Sequence, residues 1–129
     1  MASRDNMAPF MLHILFTLTG CNTKLIDDEV FVRQVLFDAC AVAEATWLKS
    51  CSHRFEPQGV TAVALLAESH LSVHTWPEKG TAVCDIFTCS DSSKAKLAMT
   101  FMQDKFEATG LSSKVNVDRS MDEGLHVSD

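Results

Sequence analysis

The sequence predicts an α+β fold, a two-layer sandwich in which two helices cover one face of a largely antiparallel sheet. Two observations lead to this prediction. Short segments with apolar residues at alternate positions are joined by tight turns, which favours antiparallel pairing of neighbouring strands. Two longer segments, one in each half of the chain, repeat apolar residues at helical spacing. The predicted order is β-α-β-β-β-β-α-β, within a single domain of 129 residues.

The first strand is predicted near residue 12, where alternate apolar residues would share one face: Leu12, Ile14, Phe16 and Leu18. An alternative is a bacterial lipoprotein signal that begins at Phe10, because Leu18-Thr19-Gly20-Cys21 looks like its cleavage box. The apolar run is short, however, and His13 interrupts it. We therefore favour the strand, ending in a turn at Gly20.

The first helix is expected to begin at an N-cap, Asp27 or Asp28, and to run to about Trp47. Its apolar residues recur at helical spacing: Val32, Val35, Leu36, Ala39, Val42 and Ala43. The second helix is expected after a cap at residues 90–92 and to end at Gly110. Its predicted buried residues are Ala95, Ala98, Met99, Met102 and Phe106.

The other strands are predicted at residues 49–55, 60–67, 71–76, 81–89 and 113–117. The prolines and glycines at 57–59 and 77–80 mark the turns between them. The polar tail from Ser120 onward is expected to fray. Since both helices cover the same face, the opposite face of the sheet is left to line a cavity or to bind a partner.

Composition and charge exclude several classes of protein. The chain has 47% hydrophobic residues, too many for a disordered chain, and a net charge of −6 that disfavours nucleic-acid binding. It has no apolar stretch of the roughly 18 residues that a membrane span needs. Five cysteines without a close pair indicate free thiols in a reducing, cytoplasmic compartment, and neither a disulfide framework nor a metal site is expected.

Polar residues concentrate on two predicted strands. His70, Ser72, His74 and Trp76 alternate with Leu71, Val73 and Thr75, so they share one face of their strand. On the next strand the shared face carries Val83, Asp85, Phe87 and Cys89. A cysteine and a histidine on neighbouring strands could therefore approach each other. Spacing alone leaves two interpretations open, a solvated outer face and a functional site.

Three stretches carry a resemblance to a known family. The block from Ala67 to Glu78, followed by Asp85-Ile86-Phe87-Thr88-Cys89, resembles the bacterial and archaeal S-adenosylmethionine decarboxylase proenzymes. Residues 53–60 and 25–28 are similar to further blocks of that family. The resemblance covers roughly residues 10 to 119, and the block around Ser69 and His74 is highly specific.

The resemblance implies a self-processing enzyme that makes its own cofactor. Decarboxylation of an amino acid needs an electron sink that ordinary side chains do not provide. In the family, the serine that matches Ser69 attacks the carbonyl of Glu68, the chain breaks there, and a pyruvoyl group remains that forms a Schiff base with the substrate. Residues 1–68 would become the β chain and residues 69–129 the α chain. The product would be the aminopropyl donor for spermidine biosynthesis.

The resemblance also assigns roles to single residues. His74 matches the base of the processing reaction, and Cys89 matches the donor that protonates the substrate carbon. Glu78 matches the residue that binds the ribose hydroxyls, and Phe55 an aromatic of the adenine-stacking site. Without the resemblance, Phe55 and Trp76 would be taken for core residues, and Cys89 for a small buried hydrophobe.

Three positions depart from the family. Thr61 stands where a serine that supports processing is usual; it keeps the hydroxyl but is stiffer, so slower processing is expected. Ser90 replaces a usual glycine, and Cys84 replaces an aliphatic residue. None of the three removes a group that the chemistry needs.

Other functions remain open from the sequence. The same scaffold could decarboxylate arginine or ornithine, or serve as a binding protein that is not cleaved. Cys89 and His74 could form a Cys–His hydrolase, and a Cys/His zinc module is a further, poorly spaced alternative. The resemblance implies a homodimer of processed protomers, with the active sites at the subunit interface.

Overall fold

The computed structural model describes residues 11–67, 69–89 and 92–120, apart from the side chain of Ser92. Its elements follow in the order β1 (Leu12–Thr19), α1 (Thr23–Ile26), α2 (Glu29–Val42), β2 (Trp47–Arg54), β3 (Val60–Leu66), β4 (Ser69–Trp76), β5 (Thr81–Thr88), α3 (Ser92–Lys105) and β6 (Gly110–Asp118). A 3-10 turn, Pro77–Lys79, joins β4 to β5.

The strands form one six-stranded sheet in the order β2-β3-β4-β5-β1-β6. Each neighbouring pair is antiparallel. Helix α2 packs on β2, β3 and β4, while α3 packs on β1 and β5. The predicted α+β sandwich is therefore confirmed, with the opposite face of the sheet free of helices in the part of the chain that the structure describes.

The first strand is confirmed. Its predicted inward residues are buried, and Phe16 and Leu18 are almost completely removed from solvent. Burial of such a side chain contributes about 1.5–3 kcal/mol. The backbone then turns at Gly20, whose φ is 63° and whose Cβ, if present, would overlap the Thr109 hydroxyl. Cys21, which is also buried, donates its N–H to the Gly80 carbonyl at 2.9 Å.

Helix α2 begins as predicted but ends early. The Asp28 carboxylate accepts from the Phe31 N–H at 3.1 Å, which is an N-cap bond. The helix stops at Val42, and Trp47 is the first residue of β2. Glu44 has a positive φ of 56°, a backbone conformation that does not occur within a right-handed helix. Beyond Glu44 the chain pairs with β3 and so becomes a strand of the sheet.

The other differences lie at the ends of elements. The five predicted residues are buried, but α3 ends at Lys105, so Phe106 follows the helix instead of belonging to it. Gly110 already belongs to β6, because the preceding Thr109 N–H bonds to the Thr19 carbonyl on β1. The short helix α1, capped by the Asn22 side chain, was not predicted. Residues 1–10, 68, 90, 91 and 121–129 lie outside the described residues. They include Glu68, Ser90 and most of the predicted tail. Among the described helices, none is long and apolar enough to cross a membrane.

A buried hydroxyl joins three elements beneath the open face. Thr75 on β4 is 6% exposed; its Oγ1 accepts from the Val60 N–H at 2.9 Å and donates to the Ile26 carbonyl at 2.8 Å. These bonds connect β4 to the start of β3 and to the end of α1. Removing the hydroxyl would leave both backbone groups buried without this partner.

We expect Thr75→Val, which keeps the side-chain shape, to lower the free energy of unfolding by about 2 kcal/mol or more. Thr75→Ser keeps the hydroxyl and is expected to cost only about 1 kcal/mol for the lost methyl. Urea denaturation of both variants checks this. A valine variant as stable as the serine variant would contradict the role assigned to the hydroxyl.

Candidate active site

The side chains of β4 separate onto two faces, as the alternation predicted. Leu71, Val73 and Thr75 are buried on the helix side, with Ser69 at the beginning of the same row. His70, Ser72, His74 and Trp76 lie on the open face of the sheet. The antiparallel register sets His74 opposite Thr61 on β3 and Ser72 opposite Asp85 on β5.

A cleft of about 310 Å³ lies at the C-terminal end of β4. The structure brings four of the predicted site residues to this cleft: Phe55, Thr61, His74 and Glu78. Gln58, Gly59, Thr75 and Trp76 complete its lining. The interpretation of Phe55 and Trp76 as core residues is wrong, because they are 45% and 43% exposed. Two exposed aromatic side chains beside a carboxylate fit a ligand with both a flat ring and hydroxyl groups.

An ion pair supports the wall of this cleft. Arg54 donates from Nε and Nη2 to the two carboxylate oxygens of Asp27 at 3.1 and 2.8 Å. The Gly59 N–H donates to the same carboxylate at 2.8 Å. Asp27 therefore connects the loop before α2 to both ends of the segment that carries Phe55 and Gln58. The hydrogen bonds from Arg54, and then the one from Gly59, lower the pKa of Asp27.

The glycine in this wall is required by conformation and space. Gly59 has a φ of 106°, which residues with a side chain rarely adopt, and an added Cβ would lie 3.1 Å from the Thr75 carbonyl. From the sequence, Asp27 was a possible helix cap and Gly59 a turn residue, each within a block that resembles the family, and neither was assigned a contact. Asp27 and Arg54 are 27 residues apart, so no local pattern joins them.

Thr61 and His74 contact each other across the β3–β4 ladder. The Thr61 Oγ1 and the His74 Nδ1 are 3.1 Å apart. When Nδ1–H donates to the hydroxyl, Nε2 carries a free lone pair and can accept a proton. The Thr61 hydroxyl thus contacts His74, and the methyl that distinguishes threonine from serine does not prevent this contact.

Ser69 and Cys89 lie at the other end of β4. Ser69 is the first residue of the strand and is 8% exposed. Cys89 follows β5 directly, two residues beyond Phe87, which pairs with His70. Cys89 is partly exposed, so it is not a fully buried hydrophobe. A hydroxyl and a thiol therefore occupy the same edge of the sheet.

The two ends are too far apart to form one site within a single chain. Ser69 and His74 are separated by five residues of extended strand, about 17 Å, and they face opposite sides. His74 pairs with Val83, which lies about 20 Å along β5 from Cys89. The expectation that Cys89 and a histidine approach each other is therefore wrong for His74, and a Cys–His hydrolase lacks its catalytic pair in one chain.

A hydrogen-bonded cluster lies on the open face. Its contacts were not predicted from the sequence. The Asp85 carboxylate accepts from His13 Nε2 at 2.6 Å, from His70 Nε2 at 2.8 Å and from the Ser72 hydroxyl. Burial alone would raise the pKa of Asp85, but the bonds from Ser72, His13 and His70 outweigh it and lower that pKa. His13 had appeared only as an interruption of an apolar run; its place in the outward row of β1 was the signal that could have linked it to Asp85.

The ligand atoms of His13, His70 and Asp85 lie within 4.8 Å of one another, which is close enough to hold a metal ion. Arg119 decides against this use, because its Nη1 is 3.3 Å from His13 Nδ1 and a guanidinium can only donate. His13 Nδ1 must accept, so the ring proton of a neutral His13 sits on Nε2 and faces Asp85. The contact favours a hydrogen-bonded cluster over a metal centre.

The Asp27–Arg54 pair predicts a defined pH dependence of stability. A carboxyl whose pKa is lower in the folded protein contributes stability that is present above its unfolded pKa and is lost as pH falls through the folded value. The difference in free energy of unfolding between wild type and Asp27→Asn should be constant near neutral pH and shrink below the ordinary carboxyl value of 3.8. Arg54→Gln should reduce this pH-dependent part without abolishing it, because the Gly59 N–H still donates to the Asp27 carboxylate. Urea titrations over this pH range measure it, and a difference that stays constant down to about pH 2 would contradict it.

Comparisons with known proteins agree with this geometry. The family model described as S-adenosylmethionine decarboxylase matches residues 12–120. A relative named S-adenosylmethionine decarboxylase proenzyme, from Synechococcus sp. (strain WH7803), is 47% identical over 96 residues, 74% of this chain and 75% of the relative. One of the same name from Hydrogenobaculum sp. (strain Y04AAS1) is 45% identical over 104 residues, 81% of this chain and 78% of the relative.

A solved structure extends the agreement to three dimensions. The crystal structure of the adenosylmethionine decarboxylase from Aquifex aeolicus VF5 superposes with a TM-score of 0.82 at 36% identity, covering 94% of this chain and 99% of that one. On this evidence of sequence and fold together, the chain belongs to the S-adenosylmethionine decarboxylase family.

Proposed function

We propose that this protein decarboxylates S-adenosylmethionine with a pyruvoyl group made from its own Ser69. The observation that carries the proposal is the cleft that brings Phe55, Thr61, His74 and Glu78 together in a member of this family. The chemistry begins with self-cleavage between Glu68 and Ser69, which would divide residues 1–68 from residues 69–129.

Self-cleavage uses atoms of the chain itself. The Ser69 hydroxyl attacks the carbonyl carbon of Glu68, so the amide becomes an ester and the Ser69 amine is released. Loss of the Ser69 α-proton then expels the Glu68 carboxylate and breaks the chain. The resulting enamine reacts with water, ammonia leaves, and a ketone remains at residue 69. This group supplies the electron sink for the carbanion that forms when CO₂ departs.

The residues present fit such a group. Ser69 begins a strand directly after the β3–β4 turn, so a new chain end can form there without removing a residue from the middle of the sheet. The partly exposed Cys89 lies at the same edge, where its thiol would return a proton to the substrate carbon after CO₂ leaves.

The cleft fits the nucleoside half of the substrate. The exposed Phe55 ring offers a stacking surface for adenine, and the exposed Glu78 carboxylate can accept hydrogen bonds from both ribose hydroxyls. Aromatic faces, including Trp76, also attract a sulfonium cation. Arginine and ornithine have no ring or ribose that would use these groups, so the cleft favours S-adenosylmethionine.

A homodimer follows from the separation of the two ends of β4. The reacting carbon, at residue 69, must lie within a few ångströms of both the cleft and Cys89, yet in one chain Ser69 is about 17 Å from His74 at the cleft. The open face carries exposed apolar side chains that a second copy would bury, among them Leu15, Leu65 and Val83. Stacked in opposite directions about a two-fold axis, two sheets would bring the end of β4 that begins at residue 69 in one chain to the cleft of the other.

In this arrangement the partner's His74 takes the Ser69 α-proton, with the partner's Thr61 orienting its imidazole. We further propose a cytoplasmic location, because the five cysteines are all free, and three of them are buried. The decarboxylated product would supply the aminopropyl group for spermidine biosynthesis.

Ser69→Ala should remain a single chain and release no CO₂, because alanine has no hydroxyl to start the cleavage. Wild type should give two fragments in denaturing intact-mass analysis, the second beginning at residue 69 with a blocked, amine-free end. Ser50→Ala, a serine on β2 away from both ends of β4, is the control and should behave as wild type. An uncleaved wild type, or a cleaved Ser69→Ala, would contradict the proposal.

Mixed dimers test the shared site. One chain carries Ser69→Ala and the other Glu78→Ala, so a mixed dimer has one site with both Ser69 and Glu78 intact. Half of randomly assorted dimers are mixed and each has one of two sites, so about a quarter of wild-type activity should return. Each variant alone should be nearly inactive. If Ser69 and Glu78 of the same chain formed the site, mixing would restore nothing.

A further inference from the structure

The Asp85 cluster has no part in the chemistry described so far. Its carboxylate lies on β5 and accepts from side chains on both neighbouring strands, His13 on β1 and His70 and Ser72 on β4. The carboxylate is mostly shielded, with the side chain 19% exposed. Its two partners on β4 lie one and three residues after Ser69, so the cluster holds the first residues of that strand.

Cleavage changes what holds this end of β4. In the intact chain the turn after β3 fixes it, because Leu66 pairs with Ser69 and the connection is only two residues long. After cleavage, β4 begins with a free end at the residue that bears the ketone. Free chain ends fray unless other contacts hold them. Within its own chain, residue 69 is then held through the backbone ladder and the Asp85 cluster.

We propose that Asp85, through His70, holds the newly formed end of β4 in position after self-cleavage, which makes both of them positioning residues for the ketone. This inference rests on the proposed self-cleavage. Asp85 is paired with Ser72 in the ladder, while His70 lies two residues nearer the end, so the His70–Asp85 bond runs diagonally across the two strands. A diagonal bond opposes both fraying of the end and sliding of β4 along β5.

The other contacts of the cluster leave the Asp85 Oδ2 atom available to accept the bond from His70. Arg119 donates to His13 Nδ1, so His13 Nε2 donates to Asp85 from the β1 side. Ser72 occupies the second carboxylate oxygen, Oδ1, and leaves Oδ2 to the two histidines. Hydrogen bonds to an ionised carboxylate are stronger than those between neutral groups. The titratable side chains that contact Asp85 are thus His13 on β1 and His70 on β4, and Arg119, after β6, contacts His13.

Two substitutions at one position separate this role from ring packing. His70→Phe keeps a ring of similar size but has no donor. His70→Gln places an amide nitrogen near the position of Nε2 and keeps a donor. Both chains should be fully cleaved, because the intact turn holds the strand until then. We expect kcat to fall about tenfold or more in His70→Phe, with KM changed less than about twofold, and to recover largely in His70→Gln.

Hydrogen exchange distinguishes this role from a general contribution to stability, because only the former predicts an effect that depends on cleavage. Amides of residues 70–72 should exchange faster in cleaved His70→Phe than in cleaved wild type. In the uncleaved Ser69→Ala background, His70→Phe should leave their exchange unchanged. Ser52→Ala is the control; it removes the 2.6 Å bond between Ser52 and Glu29, away from this strand end, and should change neither kcat nor this exchange.

The outcomes distinguish the two proposals. An uncleaved wild type would overturn the proposed function and this inference together. A cleaved His70→Phe with wild-type kcat and exchange would overturn this inference alone. Faster exchange in both backgrounds, or loss of the dimer by light scattering, would also overturn it, because the cluster would then serve general stability or assembly.

Discussion

The antiparallel register of β4 with β3 and β5 is the constraint on which the rest of the structure depends. Side chains alternate between faces at every residue, so a slip of one position would turn His74 toward the helices and Thr75 toward solvent. The buried Thr75 hydroxyl opposes such a slip through its bonds to Val60 and Ile26. The same register sets Thr61 beside His74 and Asp85 beside Ser72, so it assembles both polar groups of the open face.

The register also explains why the proposed chemistry would be divided between two chains. Because β4 is extended, its first and last residues lie at opposite ends of the strands, and different loops lie at each end. The Asp27–Arg54 pair shapes the loop at one edge, and Cys89 follows β5 at the other. A chain of this size cannot fold one edge onto the other without breaking the sheet. In the proposed dimer, a second copy stacked on the open face in the opposite direction would bring the two ends together without changing the fold.

Local patterns predicted most of the fold, because the periods of strands and helices are local. The inward residues of β1 and of α3 were correct for this reason. The predicted ends of both helices were wrong, because pairing with a strand distant in sequence determines where they stop. Trp47 joins β2 and Gly110 joins β6 through such pairing. Residue type alone would place Phe55 and Trp76 in the core, because it does not reveal a cleft. The residues of the proposed site were predicted from the resemblance. The contacts of Asp27 and His13 were found only in the structure.

The central claim is that one active site is built from the Ser69 end of one chain and the cleft of another. Its most direct measurement is a crystal structure of the cleaved protein with substrate fixed to residue 69 by borohydride reduction. We predict that the adenine lies on the Phe55 ring of the second chain, with the ribose hydroxyls on that chain's Glu78. Adenine on Phe55 of the same chain, or a cleaved monomer that binds substrate fully, would contradict the account.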